Sequence, residues 1–194
     1  MHIPSHFALS DQKEIFSFIE QNSFGQLISK VDGRLFSTHI PFILSEDKTR
    51  LLAHIGKQNP QHVEIENQEI LITLTGPHDY ISPSWYTSPS VPTWNYQAVH
   101  IYGECRCFSD PERLKHTVDS LAQKYESRFA QPWEPDYKAS MLGAIMGLDI
   151  QITDIQCQYK LSQNRSPQDI EQVIQQLSSS GSDKLALAME KQNR

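Results

Sequence analysis

Four short stretches hold side chains whose types and spacing could do chemistry. In Ser37-Thr38-His39-Ile40-Pro41-Phe42 a strand meets Pro41. Proline donates nothing to a ladder, so backbone groups beside it are left free. Free donors and acceptors next to Thr38, His39 and Ile40 suit the polar edge of a planar heterocycle. A kink at a barrel corner with a surface histidine accounts for the same residues without a ligand. In His54-Ile55-Gly56-Lys57-Gln58-Asn59-Pro60 a strand ends at Gly56 and delivers Lys57 and Asn59 just before a helix start. Lysine, amide donors and a helix N-terminus suit a phosphate group; an ordinary turn with a solvated lysine is the alternative. The stretch YISPSWYTSPSVPTWNY, residues 80–96, carries Trp85, Tyr86 and Trp94, with Asn95 placed to fix an orientation. Pro83, Pro89 and Pro92 exclude a helix or a central strand, which makes it an aromatic loop. It is either a lid on a flat ligand or partner subunit, or a satellite hydrophobic cluster. Finally, Lys160, Gln163, Asn164 and Arg165 lead into a helix opening at Ser166-Pro167. They form a second candidate anion site, or simple capping with incidental charge.

Motifs for other chemistries are missing. There is no GxGxxG after a strand, no GxxxxGK[ST], no HExxH and no GxSxG. The eight histidines are dispersed. Cys105 and Cys107 would share one face of a strand, yet no second cysteine pair follows at zinc-site spacing, so with Cys157 they read as packing residues. No side chain reads as a catalytic acid, base or nucleophile, and no metal site is expected. Any chemistry must come from a cofactor.

The elements that position these stretches are mostly strands. Asp32-Gly33 between two apolar-rich runs marks a type I′ hairpin. "LLAHI", "EILITLTG", "QAVHIYGECRCF" and "LDIQITDIQCQYKLS" continue the β pattern. In the last of these the apolar parity slips at Asp154, which suggests a bulge or bend. Six or seven antiparallel strands in so short a chain favour closure into a barrel. Helices are expected over residues 10–22 with Ser10 as cap, over "DPERLKHTVDSLAQKYES" from a capping box, over "DYKASMLGAIMG" up to Gly147, and over "PQDIEQVIQQLSSSG". The length of 194 residues fits one domain, taken as residues 1–181 with a helical C-terminal tail, 182–194.

Seventeen basic residues against twenty-three acidic ones give a net charge of −6. No basic cluster and no helix-turn-helix is visible, which argues against direct DNA binding. No apolar run is long enough to span a membrane and no secretory signal is seen, so a cytoplasmic protein is expected.

"GQLIS…DGRLFSTHIPFIL", "LLAHIGKQNPQ", "YISPSWY…VPTWNY" and "YKLSQNRSPQDIEQVIQQL", in this order, resemble the PaiB-like family of FMN-binding negative transcriptional regulators, over nearly the whole chain. The resemblance implies a mainly β protein with peripheral helices, an FMN-binding split β-barrel, working as a homodimer with the flavin at the subunit interface. It implies that Thr38, His39 and Ile40 face the flavin ring, with His54 nearby. Lys57 and Asn59 would hold its phosphate, and Trp85, Tyr86, Trp94 and Asn95 would cover it. Lys160, Gln163, Asn164 and Arg165 would close the site. Alternatives within the same fold are a flavin-dependent oxidoreductase or a haem-binding protein, the latter with His39, His54 or His100 as candidate axial ligand.

Overall fold

The computed structural model describes residues 1–193. In chain order its elements are α1 (Gln12–Gln21), β1 (Phe24–Val31), β2 (Arg34–Pro41), β3 (Ile43–Leu44), β4 (Arg50–Gly56), α2 (Gln61–Glu64), β5 (Glu69–Ile81), β6 (Thr93–Phe108), α3 (Pro111–Glu126), β7 (Ile145–Lys160), α4 (Pro167–Ser179) and α5 (Asp183–Asn193). Seven antiparallel strands form one sheet in the order β2-β1-β5-β6-β7-β4-β3. The expectation of a mainly β chain with peripheral helices holds.

The ladder order is open, not a closed ring. Its two end strands, β2 and β3, follow one another in the chain through Phe42. Pro41 has no N–H, so pairing breaks there. The Phe42 N–H is instead taken by the Ser23 carbonyl at 2.7 Å, and the Phe42 side chain is fully buried.

Two compact units divide the chain. One comprises Phe16–Leu74 and His100–Ile155; the other comprises Met1–Ile15, Thr75–Val99 and the residues from Gln156 on. β5, β6 and β7 each contribute residues to both. The parity slip read at Asp154 is real: Leu148 and Ile150 are buried, Thr153 and Asp154 are exposed, then Cys157, Tyr159 and Leu161 are buried. The unit boundary follows it directly. β6 shows no slip, and its odd positions from Asn95 to Cys105 stay buried throughout.

Within the first unit the β1–β2 hairpin turns on Asp32 and Gly33, both at positive φ (50° and 73°), as the I′ turn requires. β4 pairs with β7, with His54 opposite Gly147. A Cβ on Gly147 would lie 2.3 Å from the Phe108 ring. An aromatic ring therefore covers the sheet face that His54 shares with Gly147. The helix expected up to Gly147 is not formed. Ala139–Ala144 make a 3-10 turn, and from Ile145 the chain pairs with β4. Backbone pairing across a whole strand outweighs the weak helical preference of a segment containing Gly143 and Gly147.

In the second unit, Ser166 caps α4 by accepting from Asp169 N–H at 3.1 Å, with Pro167 in the first turn. The expected tail is helix α5, and Leu185, Ala186 and Met189 bury one face of it. At the start of α1, Asp11 and not Ser10 caps the helix, accepting from the N–H groups of Lys13 (2.8 Å) and Glu14 (3.2 Å). A carboxylate there also suits the positive end of the helix. Asp110 plays the same part for α3.

Candidate functional site

The first two chemically suggestive stretches meet in space. Lys57 N–H donates to the Ala144 carbonyl and Asn59 N–H to the Gly56 carbonyl, each at 2.9 Å, which folds the residues after β4 into a tight turn. That turn aims the Asn59 amide at β2, where Nδ2 donates to Thr38 Oγ1 at 2.8 Å. Thr38 in turn donates to Gln61 Oε1. Gln61 is fully buried, and its Nε2 donates to Ser29 Oγ at 2.8 Å and to the Leu27 carbonyl at 3.3 Å. A buried amide needs such partners, and this one ties β1, β2 and the turn into a single polar lock. Gln61 and Ser29 were missed in the sequence. A glutamine after Asn-Pro reads as surface, and the only hint was its place two residues after Asn59, at the start of α2.

The same two stretches also hold groups that the protein leaves open. Lys57 is exposed and makes no ion pair among the described residues. Gly56 has open space where a Cβ would sit. His54 Nδ1 is buried with no hydrogen-bond partner among the described residues. Burial also holds this imidazole below its ordinary pKa, which favours the neutral form. On β2, the end strand of the ladder, Ile40 is buried and His39 exposed. The His39 ring stacks with Phe24 at 6.3 Å and meets the Gln26 amide nitrogen at 3.1 Å.

The other two stretches also come together, and here the polar groups are engaged. Lys160 donates to Thr93 Oγ1 and, at 2.9 Å, to the Trp94 carbonyl. Burial, with Arg165 nearby, pulls its ammonium below the ordinary lysine pKa. Arg165 donates to Ser90 Oγ at 2.8 Å and lies 4.5 Å over the Tyr86 ring. Asn95 is buried and donates to Ser162 Oγ at 2.9 Å and to Met189 Sδ at 3.3 Å. Gln163 bridges Leu161 N–H and the Tyr159 carbonyl, and Asn164 is exposed. Ser162 sits at φ 68°, so the turn is shaped by these side chains.

The aromatic stretch is only partly a loop. β5 reaches Ile81 and β6 starts at Thr93, so Tyr80, Trp94 and Tyr96 are strand residues, and all three prolines fall between the strands. Trp85 ends a 3-10 turn and Tyr86 is buried. Trp94 is 53% exposed, with Tyr80 at 6.2 Å and His78 at 6.5 Å between ring centroids.

Residues 1–154 match the family model described as "Putative FMN-binding domain". The chain is 39% identical over 185 residues to "Protease synthase and sporulation protein PAI 2" of Bacillus subtilis (strain 168), covering 91% of this chain and 89% of that protein. Among solved structures, the flavocytochrome Anf3 of Azotobacter vinelandii superposes with a TM-score of 0.62 at 19% identity, covering 81% of this chain and 72% of that one. The FAD and heme binding protein of Mycobacterium smegmatis gives 0.64 at 12% identity, covering 84% and 78%. At such identities these likenesses speak for the fold alone, a split barrel.

Proposed function

The chain belongs to the FMN-binding domain family, PaiB-like in sequence, with FMN as its cofactor, and from that premise we propose that it is a homodimeric regulatory protein whose FMN is held at the Thr38–Asn59 junction. The observation that carries this reading is the lock itself. Asn59 and Thr38, 21 residues apart in sequence, join the two stretches two residues after Lys57, which makes no ion pair among the described residues.

The residues present fit the group. FMN offers a phosphate, a hydroxylated chain and a flat ring with a polar edge. Lys57 and the open backbone at Gly56 suit the phosphate. Asn59 and Thr38, held to each other and to Gln61, fix the turn against β2 where the hydroxylated chain would pass. His39, Ile40 and the free edge of β2 suit the ring. His54 Nδ1, buried and unpartnered, supplies one more polar atom for a bound molecule, as buried polar groups demand. Flavin supplies hydride chemistry when bound; the chain's own groups bind and orient it, and none is a catalytic acid or nucleophile. The exposed Trp94–Tyr80 face is the surface we assign to a second copy of the chain, because exposed aromatic patches mark interaction sites. Trp85, Tyr86, Asn95, Lys160, Gln163 and Arg165 support that face, and Asn164 stays exposed at the turn.

The test begins with the absorption spectrum of the purified protein, where flavin bands are expected and a Soret band would favour the haem alternative. Flavin fluorescence quenching with wild type and Lys57→Ala follows. Unchanged affinity in the variant removes Lys57 from the site. Sedimentation should give a dimer that Trp94→Ala weakens; a monomer in the wild type refutes the dimer. For the regulatory part, a DNA mobility assay with and without FMN should show no direct, salt-sensitive complex, leaving action through a protein partner.

A further inference from the structure

β6 carries a buried amide whose partner the chain does not supply. Alternation along the strand sends Asn95, Gln97 and Val99 to the same inner face. Asn95 is satisfied by Ser162 and Met189. Gln97 is only 8% exposed, yet its side-chain amide makes no hydrogen bond among the described residues. A buried amide without a partner costs free energy, so what it faces matters. Gln97 lines a cavity of about 170 Å³ in the second unit. That is the space of roughly five or six waters, below the range for drug-sized ligands. Leu9 and Ala188 supply apolar wall, and the charged side chains that line it are Asp11, Glu14 and Lys191.

Two carboxylates against one ammonium leave the cavity negative. Asp11 Oδ1 is taken by N–H groups at the start of α1, whereas its Oδ2 has no partner among the described residues. Glu14 Oε2 holds the Lys191 ammonium at 2.5 Å. The Lys191 side chain is 70% exposed, so water screens this pair and it is displaced at little cost. The chain's own lysine thus shows which group the cavity accepts. We propose that the cavity binds the ammonium end of a short primary amine. The amine N–H groups donate to Gln97 Oε1 and to the carboxylates of Glu14 and Asp11, and the alkyl chain lies against Leu9 and Ala188. The ligand supplies the missing partner of Gln97 and takes the place of Lys191 on Glu14. A quaternary ammonium has the charge and no N–H, and an alcohol has a hydroxyl and no charge, so neither meets both demands. A zwitterion would need Lys191 as a partner, where the amine has it as a competitor. None of these residues belongs to the Thr38–Asn59 junction, so the site stands apart from the flavin reading.

The probe is n-propylammonium chloride, titrated into the purified protein by calorimetry with sodium chloride holding the ionic strength fixed. Saturable one-site binding at millimolar concentration or below is expected, which suits a ligand of so few atoms. Tetramethylammonium and propanol should bind at least about tenfold more weakly; this comparison needs no variant to fold, and equal binding of all three overturns the site. Gln97→Leu keeps the bulk and should weaken propylammonium at least about tenfold. Its melting temperature should be unchanged or higher, because the unpaired amide is gone; a lower one makes the amide a structural group and overturns the reading. Lys191→Met should tighten binding about two- to fivefold, the weight of an exposed ion pair. Weaker binding in that variant, with glycine preferred to propylammonium in the wild type, overturns the amine in favour of a zwitterion. If propylammonium gives no more heat than sodium chloride, or if Gln97→Leu binds it as well as wild type does, the cavity holds water only and the proposal is overturned.

Discussion

Lys57 and Lys160 sit in similar sequence contexts: Lys57 directly follows β4 and Lys160 ends β7, each is followed within a few residues by amide side chains, and each precedes a helix start marked by a proline. Their surroundings differ completely. Lys57 is exposed, and among the described residues only its backbone N–H is engaged. Lys160 has its ammonium on Thr93 and the Trp94 carbonyl, while Arg165, Asn95 and Gln163 all have partners of their own. Polar residues at a strand end are therefore ambiguous. A group already paired must be pulled from its partner before it meets a ligand, whereas an open one is available at no such cost.

The sharpest test of this contrast exchanges the two lysines for alanine. Lys57→Ala should weaken FMN binding about 10- to 100-fold, the loss of a charge-assisted contact of roughly 1.5–3 kcal/mol, with the melting temperature unchanged. Lys160→Ala should do the reverse, lowering the melting temperature by about 2–4 °C per kcal/mol lost while changing affinity less than about threefold. Calorimetry and flavin titration on both variants decide it, and matching effects would erase the distinction.

A smaller effect is expected at the lock. Gln61→Leu leaves Ser29, Thr38 and Asn59 without their shared partner and should cost about 1–3 kcal/mol of stability, read from urea unfolding. Affinity should fall with it, because Thr38 and Asn59 lose their alignment. If affinity survives at full strength, the lock is scaffold alone.

The smallest effect is titration of His54. Its folded pKa is held below the ordinary value of 6.5 by burial. As pH falls below 6.5 the unfolded chain takes up a proton that the folded chain resists, so stability declines toward acid and is regained toward neutrality. His54→Gln should flatten that part of the curve. An unaltered profile would mean that the imidazole is not buried in solution.

Much of the scaffold was legible because its signals are local. Asp32-Gly33 needs positive φ, Ser166-Pro167 needs a helix start, and the slip at Asp154 is visible as a change of parity. The lock was not legible. Asn59 and Thr38 are far apart in sequence, and their meeting depends on how β2 and the turn after β4 are placed. Gln61 looked polar and hence exposed, yet it is the most enclosed polar residue there. The helix expected up to Gly147 failed for the same reason, since pairing of β7 with β4 is a long-range effect. For the residues from Lys160 to Arg165, the types advertise donors and say nothing of whether those donors are taken; the structure shows Lys160, Gln163 and Arg165 paired within the chain.

The loop between β5 and β6 is pinned at two points. Thr87 donates to Asp169 Oδ1 through both its N–H and its hydroxyl, each at 2.8 Å, and Ser90 is held by Arg165. The equally aromatic segment after α3 is tied back to that helix by Phe129 N–H and Trp133 N–H on Glu126 and by Tyr137 on Asp119, and leaves Phe129 and Trp133 about half exposed. To a chymotrypsin-type protease both segments offer the same side chains, yet cleavage needs about a dozen residues of backbone to open into an extended form. The first cuts should fall after Phe129 or Trp133, leaving two fragments that stay associated, while the bonds after Trp85 and Tyr86 survive until the whole unit unfolds.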